Sequence, residues 1–372
     1  MGDIVKINFE MAANFSNPAE LIHRWQLLDI PRSLAKLGVK TTIIQLSDRN
    51  ADYAEQDIQV QFVKAPAGWS RPFVRRLPVP ALLNKVRESE PSVIHIEGLH
   101  YAFQIYWIKQ ILPSVPVFVQ DHANKLAASR LRAELYRRIY RQVEGVLFSS
   151  KSLAQDFFEN GYFPPELLVY EVFEGTTLFQ PSNDLVEDDE NFSPRIVSVG
   201  DLVENKDPIT VLIAFKELLK SFPNAYLDFY FRRDFMKSEM TSLLNSSSEL
   251  RARVNLRAAV KHDDLEHIFQ NADYFVSASH REGGAYSLIE ALACGVTPVV
   301  SDIPVHRRIL KDGRVGYLFQ NGDSNGLASA LIRAEEVRRP GVREVNRAHF
   351  ESYLSADVIA RKLVEIYRLP HS

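Results

Sequence analysis

Apolar positions in this chain of 372 residues come in short dense runs, and between them the spacing turns helical or irregular. Ile4 to Phe9 reads as a buried strand, followed by a polar loop across Asn14, Phe15, Ser16 and Asn17. Asn17-Pro18-Ala19-Glu20 then supplies a capping residue, a proline at the first helical position and a carboxylate three residues after the cap. That start predicts a helix to about Lys36, closed by Gly38, and a β-branched strand over Thr41 to Leu46. Val60 to Val63, Val93 to Ile96, Val117 to Val119 and Val146 to Ser149 continue the series. Strands alternating with helices imply βαβ units and a parallel sheet.

From Pro181 to Pro194 the periodicity lapses and the text turns acidic, which marks a linker. The alternation then resumes. Strands are predicted over Arg195 to Val199, Tyr226 to Phe231, Val254 to Leu256, Tyr274 to Ser277, Thr297 to Val300 and Val315 to Phe319. Helices are predicted over Pro208 to Lys220, Ser238 to Asn245, Leu265 to Gln270 and Tyr286 to Ala293, and one further helix over Val342 to Leu369. The implied organisation is α/β, with two Rossmann-like domains facing across a cleft: residues 1–180, a linker at 181–194, residues 195–345, and a helical segment 346–372 packing back on the first domain.

Composition narrows this without changing it. Apolar residues at 46% and charged residues at 24% exclude a disordered or fibrous chain, and a net charge of -3 argues against whole-surface affinity for nucleic acid. One cysteine, Cys294, excludes a disulfide framework and a thiolate metal site, and suits a reducing compartment. No run approaches the roughly 18 to 20 apolar residues that span a bilayer. The start, Met1 to Lys6, lacks the cationic and apolar regions of an export signal, so the expected location is cytoplasmic.

The chemistry concentrates in Ser277 to Gly295. A strand ends, Gly283 and Gly284 turn the chain, and a helix starts near Ala285 or Tyr286. In open parallel sheets ligands bind at such strand ends, and amides at the helix start favour negative charge. Glu282 precedes that helix and Glu290 lies about one turn inside it, so the two carboxylates flank the amides. Carboxylates accept hydrogen bonds from hydroxyls, so phosphate between two sugars, as in a nucleotide sugar, fits the layout. The same spacing also suits two solvated charges beside a plain glycine turn.

With Val296 to Asp302 added, the run from Glu282 resembles the donor-binding motif of the retaining glycosyltransferases of family 4, which have the GT-B fold. Ile196 to Pro208, Val115 to His122 and Glu174 to Pro181 resemble further segments of that family in order and spacing. The resemblance implies that Glu282 faces the donor sugar, Glu290 the ribose, and the amides of Gly283, Gly284, Ala285, Tyr286 and Ser287 the sugar and diphosphate. It implies that Lys206, beside Gly200, neutralises the diphosphate, and that His122 contacts the transferred sugar. It implies no cofactor and no metal, the nucleoside-diphosphate sugar being a substrate. Two departures stand out. Asp201 replaces the family's usual Arg, with Arg232, Arg233 and Arg281 as candidate substitutes, and Ala13 to Asn17 replaces a Gly-Gly loop at the acceptor end.

From Arg71 to Arg141 stand twelve basic and five acidic residues, preceded by Trp69 and interleaved with Phe73, Val74, Leu131, Leu135 and Ile139. Cations beside exposed apolar residues suit an anionic membrane surface; a solvated basic helix with its Leu and Ile turned inward is the plainer alternative. The expected activity is transfer of a sugar to a hydroxyl of a glycan or lipid-linked acceptor, with retention, in bacterial surface-polysaccharide synthesis. The alternatives are a non-catalytic nucleotide-sugar-binding protein of this architecture, and a sugar-nucleotide epimerase or phosphorylase.

Overall fold

A computed structural model describes residues 3–12, 17–19, 22, 28–121, 129–173, 175–182, 193–337 and 340–368. The chain divides into two compact units, Met1–Glu174 with Ala356–Ser372, and Gly175–Ser355.

The first unit carries eight strands: β1 (Ile4–Ala12), β2 (Thr41–Ser47), β3 (Ala51–Glu55), β4 (Ile58–Lys64), β5 (Val93–Glu97), β6 (Val117–Gln120), β7 (Gly145–Phe148) and β8 (Val169–Glu171). Their order is β3-β4-β2-β1-β5-β6-β7-β8, parallel except for β3 against β4. Ile7, Ile44, Ile94, Ile96, Val119 and Val146 are fully buried, which is why these strands read as unbroken apolar runs rather than alternations. The edge strands β3 and β8 escape periodicity: β3 alternates half-exposed with exposed residues, and β8 is three half-buried residues long.

The second unit holds β9 (Arg195–Val199), β10 (Tyr226–Phe231), β11 (Val254–Ala258), β12 (Tyr274–Ser277), β13 (Thr297–Ser301) and β14 (Tyr317–Phe319), all parallel, in the order β11-β10-β9-β12-β13-β14. The order reverses between β9 and β12, and at such a switch point the loops leaving the strand ends diverge and leave a crevice for ligands.

The long C-terminal helix is two helices, Val342–Tyr353 and Ala356–Tyr367. The amides of Leu354 and Ser355 both return to the Phe350 carbonyl, which ends the first helix where side-chain periodicity alone runs on. The second helix belongs to the first unit: Ser33 Oγ donates to Asp357 at 2.6 Å, and the Tyr367 hydroxyl lies 2.6 Å from His95 Nδ1.

Candidate functional site

Leaving β12, the chain turns through Arg281 to Ala285 and enters the helix Tyr286–Ala293. Ala285, its N-cap, sits at φ 48° and ψ 47°, a left-handed conformation that a residue with a Cβ adopts at a cost. Among the described residues no side chain caps this start, so the positive end of the helix is left for another acceptor. At the far end Arg347 Nη1 donates to the Ala293 carbonyl at 2.7 Å, and Asn346 Nδ2 donates to the Gly295 carbonyl at 3.1 Å. The helix is thus pinned by a cation where its dipole is negative. Gly175 presses against Tyr286: a Cβ there would lie 2.0 Å from the ring.

Lys206 arrives from the neighbouring strand. After β9 and Gly200 the chain makes the short turn Glu204–Lys206, and Asp207 at φ 43° caps the helix Pro208–Leu218, accepting from Thr210 N at 3.2 Å and Thr210 Oγ1 at 2.6 Å. Two bonds stitch this turn to the one after β12. His280 N donates to the Asn205 carbonyl at 2.8 Å, and Asn205 Nδ2 donates to the Arg281 carbonyl at 2.9 Å. Lys206 Nζ consequently meets the Glu282 carboxylate in an ion pair. Gly200 flanks the lysine stem, its missing Cβ position lying 3.5 Å from Lys206 Cε.

Glu290, one turn into the helix, is 5% exposed and accepts from His262 Nε2 at 2.8 Å. The His262 ring packs on Phe179 with centroids 4.8 Å apart. Local spacing in the sequence does not single out His262. The usable signal is topological, since it opens the helix that follows β11 and so lies near the carboxyl edge of the same sheet. His306 is a second unanticipated neighbour. Fully buried, it holds Nδ1 2.9 Å from the Ser301 carbonyl; burial, against the pull of nearby Glu282, brings its pKa down to about 4. It is therefore neutral at pH 7. Burial likewise pushes the Cys294 thiol up to about 12, so it is a packing group and not a nucleophile.

Of the anticipated site residues, Gly200, Lys206, Glu282, Gly283, Gly284, Ala285, Tyr286, Ser287 and Glu290 lie on loops and a helix leaving the carboxyl ends of β9 and β12. Arg233 is held by Asp201, while Arg232 is exposed and Arg281 makes no ion pair among the described residues. His122, Asn14, Phe15 and Ser16 lie outside the described residues. Among the described residues no group of three or more His, Cys, Asp or Glu is placed to hold a metal ion.

The basic stretch of the first unit departs in part from each sequence reading. Trp69 is not exposed: it is 3% accessible and donates Nε1–H to the Phe9 carbonyl at 3.0 Å. Leu131 and Leu135 do not turn into the core, being 75% and 39% exposed, and only Ile139 is buried. The two halves of the stretch share one surface. Arg76 lies over Phe103 at 5.4 Å, Phe103 packs edge-on against Tyr136 on the helix Arg130–Tyr140, and both Arg76 and Arg132 act electrostatically on Tyr136. Phe73, 69% exposed, stands at the start of the Val74–Arg76 turn. No helix among the described residues is long and apolar enough to cross a membrane.

Solved structures with this arrangement place it among the GT-B glycosyltransferase folds. Sucrose-phosphate synthase from Thermosynechococcus elongatus superimposes with a TM-score of 0.70 at 16% identity, over 99% of this chain and 98% of that one. An E. coli protein solved bound with UDP-2-fluoro glucose gives a TM-score of 0.67 at 11% identity, covering 99% of each chain. In sequence, the family model for glycosyl transferases group 1 matches residues 185–365, and the glycosyl transferase 4-like domain matches residues 24–170. The chain belongs to this glycosyltransferase family. A GDP-mannose:cellobiosyl-diphosphopolyprenol alpha-mannosyltransferase from Xanthomonas oryzae pv. oryzae is 22% identical over 289 residues, covering 74% of this chain and 72% of that enzyme.

Proposed function

We propose that the protein is a retaining glycosyltransferase that moves a sugar from a nucleoside-diphosphate donor to a hydroxyl of a glycan or lipid-linked acceptor in cell-surface glycan synthesis, at the cytoplasmic face of a membrane. The observation that carries the donor assignment is the Lys206–Glu282 ion pair beside an uncapped helix start, with Glu290 one turn further on. A cation and the positive end of a helix stabilise the charge that develops on a departing diphosphate more than they stabilise the bound donor, and this lowers the barrier. The site uses its own cation for this, without requiring a divalent metal. Glu282, paired with Lys206, accepts from donor-sugar hydroxyls. Glu290 spends one oxygen on His262 and retains acceptor capacity for the ribose.

A lipid-linked acceptor is supported by the diphosphopolyprenol acceptor in the name of the Xanthomonas relative, and by the first unit's surface, where Phe73 and Leu131 stand exposed among Arg71, Arg76, Arg130 and Arg132. The test is turnover, read as release of nucleoside diphosphate from the donor. Lys206→Ala and Glu282→Gln should each lower kcat about 100- to 1,000-fold, with the melting temperature nearly unchanged. Wild-type turnover in both variants contradicts the assignment.

A further inference from the structure

The loops leaving β9 and β10 are tied edge to edge. Gly200 N donates to the Tyr230 carbonyl at 3.0 Å, Leu202 N to the Arg233 carbonyl at 2.8 Å, and Met236 N to the Leu202 carbonyl at 3.0 Å. Within this frame Asp201 grips Arg233 twice. Oδ1 accepts from the Arg233 backbone N–H at 2.9 Å, and Oδ2 accepts from Nε at 2.6 Å. The anchor is more sheltered than its load: the Asp201 side chain is 14% exposed and that of Arg233 58%. Burial alone would raise the Asp201 pKa, but the Arg233 bonds and charge outweigh it and hold the carboxyl below its ordinary value, so the grip persists through neutral pH.

Two features separate this from an ordinary surface ion pair, which contributes little. The carboxylate fixes the backbone of Arg233 as well as its side chain, so the root of the arginine does not wander. Because the contact uses Nε, both terminal amino groups remain, and their planar fork matches two oxygens of a phosphate. Asp201 directly follows Gly200, whose open side lies against the Lys206 stem, so Lys206 and Arg233 flank one short stretch of backbone. Among the described residues Arg232 and Arg281 have no such anchor.

We propose that Arg233 is a second diphosphate-binding cation alongside Lys206, delivered from the loop after β10, and that Asp201 is its positioning residue. This rests on the donor reading above. The acid in the loop after β9 then does not repel the ligand, because its charge is spent on Arg233 and it is the guanidinium that faces outward.

The test uses the full chain and titrates a matched series, nucleoside, nucleoside monophosphate and nucleoside diphosphate, for uridine, guanosine and adenosine. Arg233→Ala should weaken diphosphate binding about 10- to 100-fold while leaving the nucleoside unchanged. Arg233→Lys should recover part of the loss. Asp201→Asn should fall between Arg233→Ala and wild type, with a larger loss in kcat than in KM, and Arg232→Ala should match wild type. Arg233→Ala binding diphosphate as wild type does, while Lys206→Ala loses it, overturns the proposal and leaves the donor reading standing. A wild-type chain that binds none of the nine nucleotides and nucleosides overturns both.

Discussion

Two charged regions of this molecule are built in opposite ways. At the carboxyl ends of β9, β10 and β12 most of the charged side chains have partners: Lys206 with Glu282, Asp201 with Arg233, Asp207 with His280, Glu290 with His262. On the first unit, Arg71, Arg76, Arg130 and Arg132 make no ion pair among the described residues, and Phe73 and Leu131 stand exposed beside them. Matched charges on short loops fix a geometry in advance, which is what recognition of one small ligand needs. Unmatched cations beside apolar side chains specify a sign and a depth rather than a geometry, which suits a surface that is itself fluid.

Acid separates the two regions most strongly. Neutral, buried His306 lies near Lys206 and Glu282, and its pKa of about 4 is well below that of a histidine in the unfolded chain. The unfolded chain therefore binds the proton first. The second unit should lose stability as pH falls from about 6.5 to 4, by up to roughly 3 kcal/mol. Burial also lowers the pKa of His349 in the same unit, so its effect has the same sign. Urea midpoints followed across the pH range should show the slope, and His306→Gln should flatten it; an unchanged slope in that variant would remove His306 from the account.

Gly175 probes how tightly the donor region is built. Gly175→Ala drives a methyl into Tyr286 and should cost about 1–3 kcal/mol, measured by chemical denaturation. Adding Tyr286→Ala should return most of that loss, since the collision is with this ring alone among the nearest atoms. The smallest effect belongs to the other region. Phe73→Ser with Leu131→Ser should weaken sedimentation with vesicles rich in anionic lipid several-fold, while leaving stability within about 0.5 kcal/mol. Equal binding by the double variant would place the contact elsewhere.

What the sequence revealed, and what it concealed, follows the same division. The strand, glycine turn and helix from Tyr274 to Ala293 are legible because local spacing alone specifies them, and the central strands because burial on both faces makes them continuous apolar runs. The short edge strand β8 is not, because its pairing with β7 comes from a distant segment. His262 and Glu290 are 28 positions apart and meet only through sheet topology. Among three candidate arginines, only the two bonds from Asp201 distinguish Arg233. Leu131 and Leu135 lie on a helix whose pattern looks amphipathic, and their exposure is decided by what packs against that helix, which periodicity does not contain.

The central claim is that the second unit holds a nucleoside-diphosphate sugar between Lys206 and Glu290. Calorimetric titration of the wild-type chain and of Glu290→Gln with UDP, GDP and ADP sugars tests it most directly. One donor should bind the wild type in the micromolar range, about -8 kcal/mol, and Glu290→Gln should weaken it about tenfold while leaving inorganic diphosphate unaffected. No binding by any donor, or equal binding by both proteins, would contradict it.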